Sequence, residues 1–463
     1  YLILGRCVRD NIKKYLLRAI KMQKTQKSAA QLLVLGFAAM ILAGALLLML
    51  PFASRDGRSI PFINALFTAT SASCVTGLVM YDTWTQFTLF GQAVIISLIQ
   101  VGGLGFMIIA IEFSLAAGKR IGLRSRAMLS ESVGASQIGG VVRLVRRVLI
   151  GTAMFEGAGA VIMSTRFIPL FGVARGIWYS VFHSISAFCN AGFDLMGIRK
   201  PSSSLTYFAG DPVISLTICS LIMIGGIGFI VWNDIAENKG RWKKLSYQSK
   251  SALFMTFAIT VASTLLFLLF EKDYTLKGTP VGKSGLEAIF MSVTPRTAGF
   301  NTVDIASMSD ASNFLTMLLM FIGASPGGTG GGLKTTTFMI VVAAMVASVE
   351  GRDEPVAGHH RISKDTLVKA LSALSMYMIP TIFGTLILCA QSEPFMNSAY
   401  ECLSAIGTVG LTTGITSTLR PLSKVVIILL MYVGRVGSMS VFTAFSFSHK
   451  SSGLRRPVGD LVV

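Results

Sequence analysis

The sequence predicts an all-α polytopic membrane protein. Apolar runs of about 20 residues recur along the whole chain, and each is long enough to cross a bilayer as a helix. The composition agrees with this class. Of the 463 residues, 52% are hydrophobic and only 14% are charged, and the mean hydropathy is +0.66. A soluble domain carries about 25% charged residues, so a soluble fold is excluded.

Eight runs qualify as spans. The clear ones are Leu32–Leu50, Ala93–Ala117, Val213–Trp232, Ala252–Phe270, Ala373–Ala390 and Val425–Phe447. Val148–Met163 is shorter and contains Glu156, and Phe314–Val349 is one long run interrupted by a glycine-rich loop. An even number of spans places both chain termini on the same side of the membrane.

The formal charge of +19 is concentrated in alternate connections. Lys and Arg cluster in residues 6–27, 119–147, 239–250, 352–369 and 450–456, and the intervening connections carry fewer. The positive-inside rule therefore predicts that both termini are cytoplasmic. This alternation indicates membrane orientation, and contact with the anionic inner leaflet, rather than binding to nucleic acid.

A semi-polar segment recurs four times between consecutive pairs of spans. The copies read FTATSASCVTGL, FHSISAFCNAGF, FMSVTPRTAGF and ECLSAIGTVGL. They align on Gly77, Gly192, Gly299 and Gly410, about 110 residues apart. Serine stands six residues before the glycine in three copies, and Val293 takes that place in the third. Each unit reads span, pore helix, glycine turn, span, so four pseudo-repeats can surround one central pore.

This arrangement suits the passage of a monovalent cation. Irregular backbone is tolerated at membrane depth only where it is buried or lines water. A ring of backbone carbonyls can replace the hydration shell of an ion, and glycine adopts the positive φ of a tight reversal at little cost. One such segment would equally indicate helix packing, but four copies at matched intervals favour a pore.

The stretch GASPGGTGGGLKTT, Gly323 to Thr336, superficially resembles a nucleotide-binding loop. Leu333 separates Gly332 from Lys334, so the register G-x-x-x-x-G-K-[ST] fails by one residue. The flanking runs are apolar enough for lipid contact. We interpret the stretch as a flexible break inside a membrane span.

The loops CVTGL, CNAGF, RTAGF and GTVGL, together with the interrupted span GGTGGGLKTT, resemble the Trk/Ktr/HKT superfamily of potassium transporters. The resemblance covers nearly the whole chain. Eight spans, without the two additional N-terminal spans of the Trk branch, favour the bacterial Ktr membrane subunits. The resemblance implies a channel-like subunit for potassium uptake in the bacterial plasma (inner) membrane. It implies K+ as the transported ion, no covalent cofactor and no enzymatic activity.

The resemblance also implies the residues that act on the ion. The expected selectivity-filter residues, whose carbonyls would hold K+, are Val75, Thr76, Gly77, Asn190, Ala191, Gly192, Thr297, Ala298, Gly299, Thr408, Val409 and Gly410. The expected gate residues are Gly327, Gly328, Thr329, Gly330, Gly331, Gly332, Lys334 and Arg435. Glycine at position 77, where the plant branch uses serine for sodium, implies potassium. The lack of a Gly-x-Gly ending implies modest selectivity over sodium.

Several charged residues keep two interpretations. Asp82, Asp194 and Asp304 follow the glycine turns and are either solvated loop carboxylates or a vestibule that enriches cations. Lys334 either repels cations in the pore or snorkels to the inner interface. Arg435, deep in a span, should face the bundle interior, and the resemblance makes it a partner of the gating loop.

Two other polar features have structural interpretations. Glu156 should make hydrogen bonds within the bundle. His359 and His360 are adjacent but lack a second ligand cluster, so a metal site there is disfavoured.

The predicted organisation is a basic N-terminal segment, four pore units and a C-terminal tail. These cover residues 1–28, 29–118, 140–237, 248–350 (with the gating loop 323–336), 365–448 and 449–463. The resemblance implies a homodimer with one pore per protomer and a cytosolic ring of nucleotide-binding, KtrA-like regulatory subunits. The basic loops and tail could dock that ring.

Three alternatives remain open at this point. One is a sodium-permeable or sodium-coupled transporter of the same fold. Another is a secondary transporter of organic solutes, a class that favours inverted repeats rather than parallel ones. The third is an ATP-driven enzyme built on the glycine-rich loop.

Overall fold

A computed structural model describes residues 29–105, 108, 141–352, 354–358 and 360–437, and within these ranges almost all of the regular secondary structure is helical. The helices are α1 Ala29–Leu48, α2 Phe62–Ser73, α3 Thr83–Gln86, α4 Leu89–Leu104, α5 Val141–Phe171, α6 Val173–Phe188, α7 Pro212–Ile227, α8 Phe229–Glu237, α9 Tyr247–Phe270, α10 Val281–Val293, α11 Asp310–Phe321, α12 Thr335–Val349, α13 Lys364–Ala390, α14 Phe395–Gly407 and α15 Pro421–Val436. Strands β1 Val356–Ala357 and β2 His360–Arg361 form a short antiparallel ribbon. The predicted N-terminal segment and C-terminal tail lie outside the described residues.

The four predicted units appear in the predicted order. Each begins with a long apolar helix, continues with a shorter pore helix and a turn, and ends with a second helix. The first helices are α1, α5, α9 and α13, and each contains a stretch long and apolar enough to cross a membrane. The pore helices are α2, α6, α10 and α14, and the helices that follow the turns are α4, α7, α11 and α15.

Burial separates the inside of the bundle from its outside. The pore helices carry several of the largest fully buried side chains, among them Phe67, Phe182 and Tyr400. The first helices instead expose large apolar side chains; Phe257 is 68% exposed and Phe383 is 61% exposed. Such a surface is stable only against lipid, so the four pore helices form the centre and the first helices form the perimeter.

In each unit, the helix that follows the turn ends at or just before a glycine with positive φ. The sequence indicated such an interruption only in the third unit. The terminating glycines are Gly105 (φ 88°), Gly228 (φ 107°), Gly323 (φ 33°) and Gly437 (φ 88°). A left-handed glycine ends a helix because it carries no Cβ to clash there. In the second unit the chain resumes as α8 after an 89° bend. The predicted span Val213–Trp232 is therefore broken at Gly228.

Glycines in three of the second helices let these helices press against the ends of the pore helices. A Cβ added to any of these glycines would overlap the backbone carbonyl of a pore-helix or turn residue. That residue lies four positions before the last glycine of its turn. The pairs are Gly102 with Ser73, Gly225 with Phe188 and Gly434 with Ile406. The absence of a side chain therefore sets how closely each second helix approaches its pore helix.

We predict that Gly225→Ala destabilises the folded protein by about 1–3 kcal/mol, because the added methyl group overpacks a backbone contact that cannot yield. The measurement is the Tm of the purified protein in detergent. Gly157→Ala is the matched control, since no atom lies within 4 Å of a Cβ at that helical glycine. A Tm for Gly225→Ala equal to that of the control would contradict the packing argument.

Candidate functional site

The four glycine turns form a closed ring. Each triplet ends in the aligned glycine, and the four triplets are Val75–Gly77, Asn190–Gly192, Thr297–Gly299 and Thr408–Gly410. A Cβ on each aligned glycine would overlap the carbonyl oxygen of the middle residue in the next unit. The pairs are Gly77 with Ala191, Gly192 with Ala298, Gly299 with Val409 and Gly410 with Thr76. The contacts run from unit to unit and return to the first, so the triplets surround a common centre.

The backbone has the same alternation in all four triplets. The first and third residues have positive φ, and the middle residue does not. The first residues are Val75 (φ 57°), Asn190 (φ 59°), Thr297 (φ 71°) and Thr408 (φ 52°). An alternating sign of φ turns successive peptide groups so that neighbouring carbonyls share one side of the segment, unlike the alternation of a β-strand. Three of these residues are β-branched and therefore strained. Strain of this kind persists where the surrounding structure enforces it, commonly at functional sites.

Backbone hydrogen bonds from the pore helices hold the triplets in place. In three units the middle residue donates to a carbonyl five residues earlier, at 2.8 Å. The pairs are Thr76 to Ser71, Ala191 to Ser186 and Val409 to Ser404. In the third unit Ala298 donates instead to Thr294, four residues earlier, at 2.9 Å. The turn of the third unit is therefore one residue tighter.

Hydroxyl groups at the ends of the pore helices make a second set of bonds. The hydroxyls of Ser71 and Ser404 accept from the backbone N–H of Gly77 and Gly410, both at 3.0 Å. Ser186 donates to the carbonyl of Phe193 at 2.7 Å. Thr294 donates to the carbonyl of Phe300. Thr294 thus supplies in the third unit the hydroxyl that Val293 lacks.

The glycine-rich loop lies directly against the first positions of three triplets. The Thr329 hydroxyl is 3.2 Å from the side-chain amide of Asn190, and the Gly331 N–H donates to the Thr408 hydroxyl at 3.1 Å. A Cβ on Gly330 would overlap the Thr297 hydroxyl. The loop also bonds to the second unit, because Thr329 N–H donates to the Gly225 carbonyl at 3.1 Å. The predicted loop residues therefore lie at one mouth of the ring.

Two cationic side chains bind carbonyls of this loop. Arg435 donates to the carbonyls of Thr329 and Gly102, and to that of Gly103 at 2.9 Å. It links the third, fourth and first units and faces the bundle interior, as predicted. Lys334 Nζ donates to the carbonyl of Gly330 at 2.8 Å, so its side chain folds onto the loop rather than extending to the interface. Both side chains line a cavity of about 210 Å³.

Arg296 was not singled out by the sequence analysis, although it directly precedes the third triplet. It is buried, and its guanidinium donates to the carbonyl of Thr256 at 3.3 Å and to the Thr256 hydroxyl at 3.2 Å. It therefore ties the third turn to α9. The sequence signal that could have identified Arg296 is a lone arginine in an otherwise apolar segment that is predicted to line the pore.

The pore helices also position the loops that follow the turns, through two buried polar side chains that the sequence analysis missed. His183 Nε2 accepts from the backbone N–H of Leu195 at 3.4 Å. Glu401 accepts from the hydroxyl of Thr412 at 2.8 Å and also from that of Thr416. His183 and Glu401 each lie nine residues before the aligned glycine of their unit. An alignment of the units therefore places both at the same position of the repeat.

The three aspartates that follow the turns each accept a hydrogen bond from a nearby backbone N–H group. Asp82 caps α3 by accepting from Thr85 N–H at 2.8 Å, and it also accepts from Ser202 N–H at 2.9 Å. Asp304 caps a single helical turn. Asp194 lies in the outer loop, where its carboxylate accepts from Met196 N–H at 2.8 Å. Burial, and then the charge of Asp82, raise the pKa of Asp194 to about 7.

The remaining polar candidates have structural contacts. Glu156 accepts from the Gln100 side chain at 3.2 Å, as expected. His359 lies outside the described residues, and the His360 ring packs at a tilt against Tyr247, with ring centroids 4.4 Å apart. No group of three or more His, Cys, Asp or Glu side chains able to hold a metal ion occurs within the described ranges.

We predict that Asp194→Asn stabilises the protein more at pH 8 than at pH 4.5. The carboxyl titrates near 3.8 in the unfolded chain and near 7 in the folded protein. Ionisation therefore favours the unfolded state above pH about 4, and this cost is complete above pH 7. The measurement is the difference in Tm between variant and wild type at both pH values. Asp304→Asn is the control, and a pH-independent difference for Asp194→Asn would contradict the argument.

Comparisons with known proteins agree with this architecture. Residues 8–455 match the family model TrkH, described as cation transport protein. The chain is 42% identical over 428 residues to the potassium/sodium uptake protein NtpJ of Enterococcus hirae, which covers 91% of this chain and 93% of that protein. It is 38% identical over 437 residues to Ktr system potassium uptake protein B of Bacillus subtilis, which covers 93% and 96%.

A solved structure shows the same fold. The crystal structure of the potassium transporter TrkH from Vibrio parahaemolyticus matches with a TM-score of 0.72 at 19% identity, covering 91% of this chain and 86% of that one. The family match spans nearly the whole chain, so transport of an ion, and not enzymatic catalysis, is its class of activity. The chain belongs to the TrkH family of cation transport proteins.

Proposed function

We propose that the chain is the ion-translocating subunit of a potassium uptake system in the bacterial plasma membrane, with both termini in the cytoplasm. The single observation that carries this proposal is the closed ring of four triplets. The relatives add support, since their names describe potassium, or potassium and sodium, uptake.

The triplets suit a selectivity filter because their oxygens belong to the backbone. A potassium ion loses its hydration shell at a low cost only if a cage of carbonyls replaces the lost water. Three successive residues in each of four units supply such carbonyls, and the alternating φ presents neighbouring carbonyls on one side. The ion would therefore bind at Val75–Gly77, Asn190–Gly192, Thr297–Gly299 and Thr408–Gly410.

The loop Gly327–Gly332, with Lys334 and Arg435, would be the gate. The loop contacts three of the triplets, and two cationic groups bind its carbonyls at the same mouth. A fixed positive charge in a low-dielectric passage repels a permeant cation strongly. Glycines give the loop many backbone conformers of low cost, so it can withdraw when its contacts break. In this proposal the described arrangement would be the closed state of the gate.

Partners follow from the same reasoning. Four units within one chain complete the ring, so a homodimer would carry one pore in each protomer. The relative from Bacillus subtilis is named as part of a Ktr system, which supports a cytosolic KtrA-like regulatory ring. The basic cytoplasmic connections would provide its docking surface.

Sodium permeation or sodium coupling is the second candidate. The name of NtpJ specifies potassium and sodium uptake, and that protein is 42% identical to this chain. No triplet has a Gly-x-Gly ending, so fewer carbonyl rings are available to discriminate between the two ions.

We predict that Gly77→Ser reduces the preference for potassium over sodium by about tenfold. Gly77 has φ 95°, and a Cβ there would overlap the Ala191 carbonyl oxygen, so the ring must distort. The measurement is uptake of potassium and of sodium by a potassium-uptake-deficient cell, normalised to the amount of protein in the membrane.

Gly57→Ser is the matched control for this variant. Gly57 also has a positive φ (65°), but no atom lies within 4 Å of a Cβ at that position. The Gly57→Ser variant therefore also places a side chain on a residue with positive φ, but that side chain touches no part of the ring. An unchanged ion preference in Gly77→Ser, at normal expression, would count against the filter assignment.

We predict that deletion of Gly330 and Gly331 raises ion flux in the absence of any regulatory partner. The deletion removes the contact with the Thr408 hydroxyl and the carbonyls that bind Lys334. We expect about tenfold more basal flux in vesicles that contain the purified chain, because the barrier at the mouth is lost. Deletion of Asp56 and Gly57 from an exposed outer turn is the control. Basal flux equal to that of the control deletion would refute the gate.

A further inference from the structure

A second cavity lies on the outside of the second unit. It is an apolar groove of about 570 Å³ between the first helix α5 and the bent helix α8. Val148 and Met154 line one wall, and Ile227, Trp232 and Ile235 line the other. Met154 is 60% exposed, so the groove opens sideways onto the apolar perimeter of the bundle, where a membrane would supply lipid chains.

One end of this groove is strongly basic. Arg143 and Arg147 stand one turn apart on the same face of α5, Arg146 lies beside them, and all three side chains are exposed. Arg147 is part of the groove and donates to Asn233 at 2.5 Å and to Glu237 at 2.7 Å. Glu237 offsets the charge of Arg147, and Arg143 and Arg146 add two further positive charges on the same helix, so this end of the apolar groove is net positive.

We infer that this groove binds an anionic phospholipid, with an acyl chain along Val148, Met154 and Trp232 and the phosphate between Arg143 and Arg147. The shape provides a long apolar slot that ends in cationic groups. Guanidinium forks match the oxygens of a phosphate, and anionic headgroups are attracted to basic residues at the membrane surface. A zwitterionic lipid carries the same phosphate but adds a cationic group, which the arginines repel, so its net attraction to this end of the groove is weaker. A protein helix would need acidic groups at the same place.

The floor of the groove leads directly to the glycine ring and its loop. The ring of Trp232 packs on Phe188 and Phe229, with centroids 5.5 Å and 5.2 Å apart. The carbonyl of Phe188 accepts from the Thr329 hydroxyl at 3.2 Å, and Phe229 N–H donates to the Gly327 carbonyl at 2.8 Å. A lipid chain against Trp232 therefore acts on the loop through two residues. This coupling rests on the proposed function, whereas the binding site does not.

The binding test uses Trp232 as the probe. The full chain is reconstituted in phosphatidylcholine nanodiscs that contain a small fraction of phosphatidylglycerol or phosphatidylcholine with brominated chains, which quench tryptophan on contact. The part of the quenching that is lost in the Trp232→Phe variant comes from Trp232 itself and therefore reports lipid in the groove. This difference is the Trp232 signal. We expect brominated phosphatidylglycerol to produce this signal at a concentration at least about threefold lower than brominated phosphatidylcholine.

Matched variants separate the groove from its surroundings. Arg143→Gln with Arg147→Gln should abolish the preference, whereas Arg352→Gln with Arg361→Gln, which removes two charges elsewhere, should keep it. Gly151→Phe should abolish the signal, because a Cβ at Gly151 lies 3.5 Å from the Trp232 ring and the added ring fills the slot. Gly157→Phe, on the same helix but with no atom within 4 Å of a Cβ, should leave the signal unchanged.

Two results would overturn the inference. Equal quenching by the two lipids would exclude selection by the arginines. A Trp232 signal absent with both lipids, in protein that stays folded, would mean that another segment or a second copy fills the groove. Potassium flux in vesicles with and without phosphatidylglycerol is a separate readout. If the lipid selectivity is preserved but no potassium flux is measured, the transport proposal is contradicted and the lipid site is not.

Discussion

The architecture depends on the contact between a glycine Cα in one unit and a backbone carbonyl in the next, made four times around a circle. Any side chain at these glycines would force the units apart. The contact explains why four aligned positions are glycine, since positive φ and close approach are both required there. It also explains why the pore helices are buried and the first helices face outward, because only that arrangement brings four turns to one centre.

The strain at the ring is balanced by the pore helices. Val75, Thr297 and Thr408 hold a left-handed conformation that β-branched residues disfavour. Hydrogen bonds from the pore-helix ends enforce this conformation in each unit. The third unit uses Thr294 where the others use serine, which shows that the position of a hydroxyl matters more here than the identity of the residue. Arg296 adds a further anchor, which ties the third turn to α9.

Backbone carbonyls serve as cation ligands both in the loop and, in the proposed function, in the ring beside it. Carbonyl oxygens that could bind an alkali cation lie beside carbonyl oxygens that bind the protein's own cations, Arg435 and Lys334. A guanidinium and an ammonium group thus occupy carbonyls of the loop next to the passage. Both the passage of an ion and its obstruction would then depend on which cation the backbone oxygens hold.

The membrane class, the fourfold repeat and the positions of the aligned glycines could be predicted from the sequence, because hydropathy and local backbone requirements are properties of neighbouring residues. The breaks after the second helices of the first, second and fourth units depended on the tertiary structure, since Gly105, Gly228 and Gly437 resemble ordinary packing glycines in sequence. The contacts of Arg296 and the groove beside Trp232 also depended on it. Each arises between segments far apart along the chain, and no local pattern records which distant surfaces will meet.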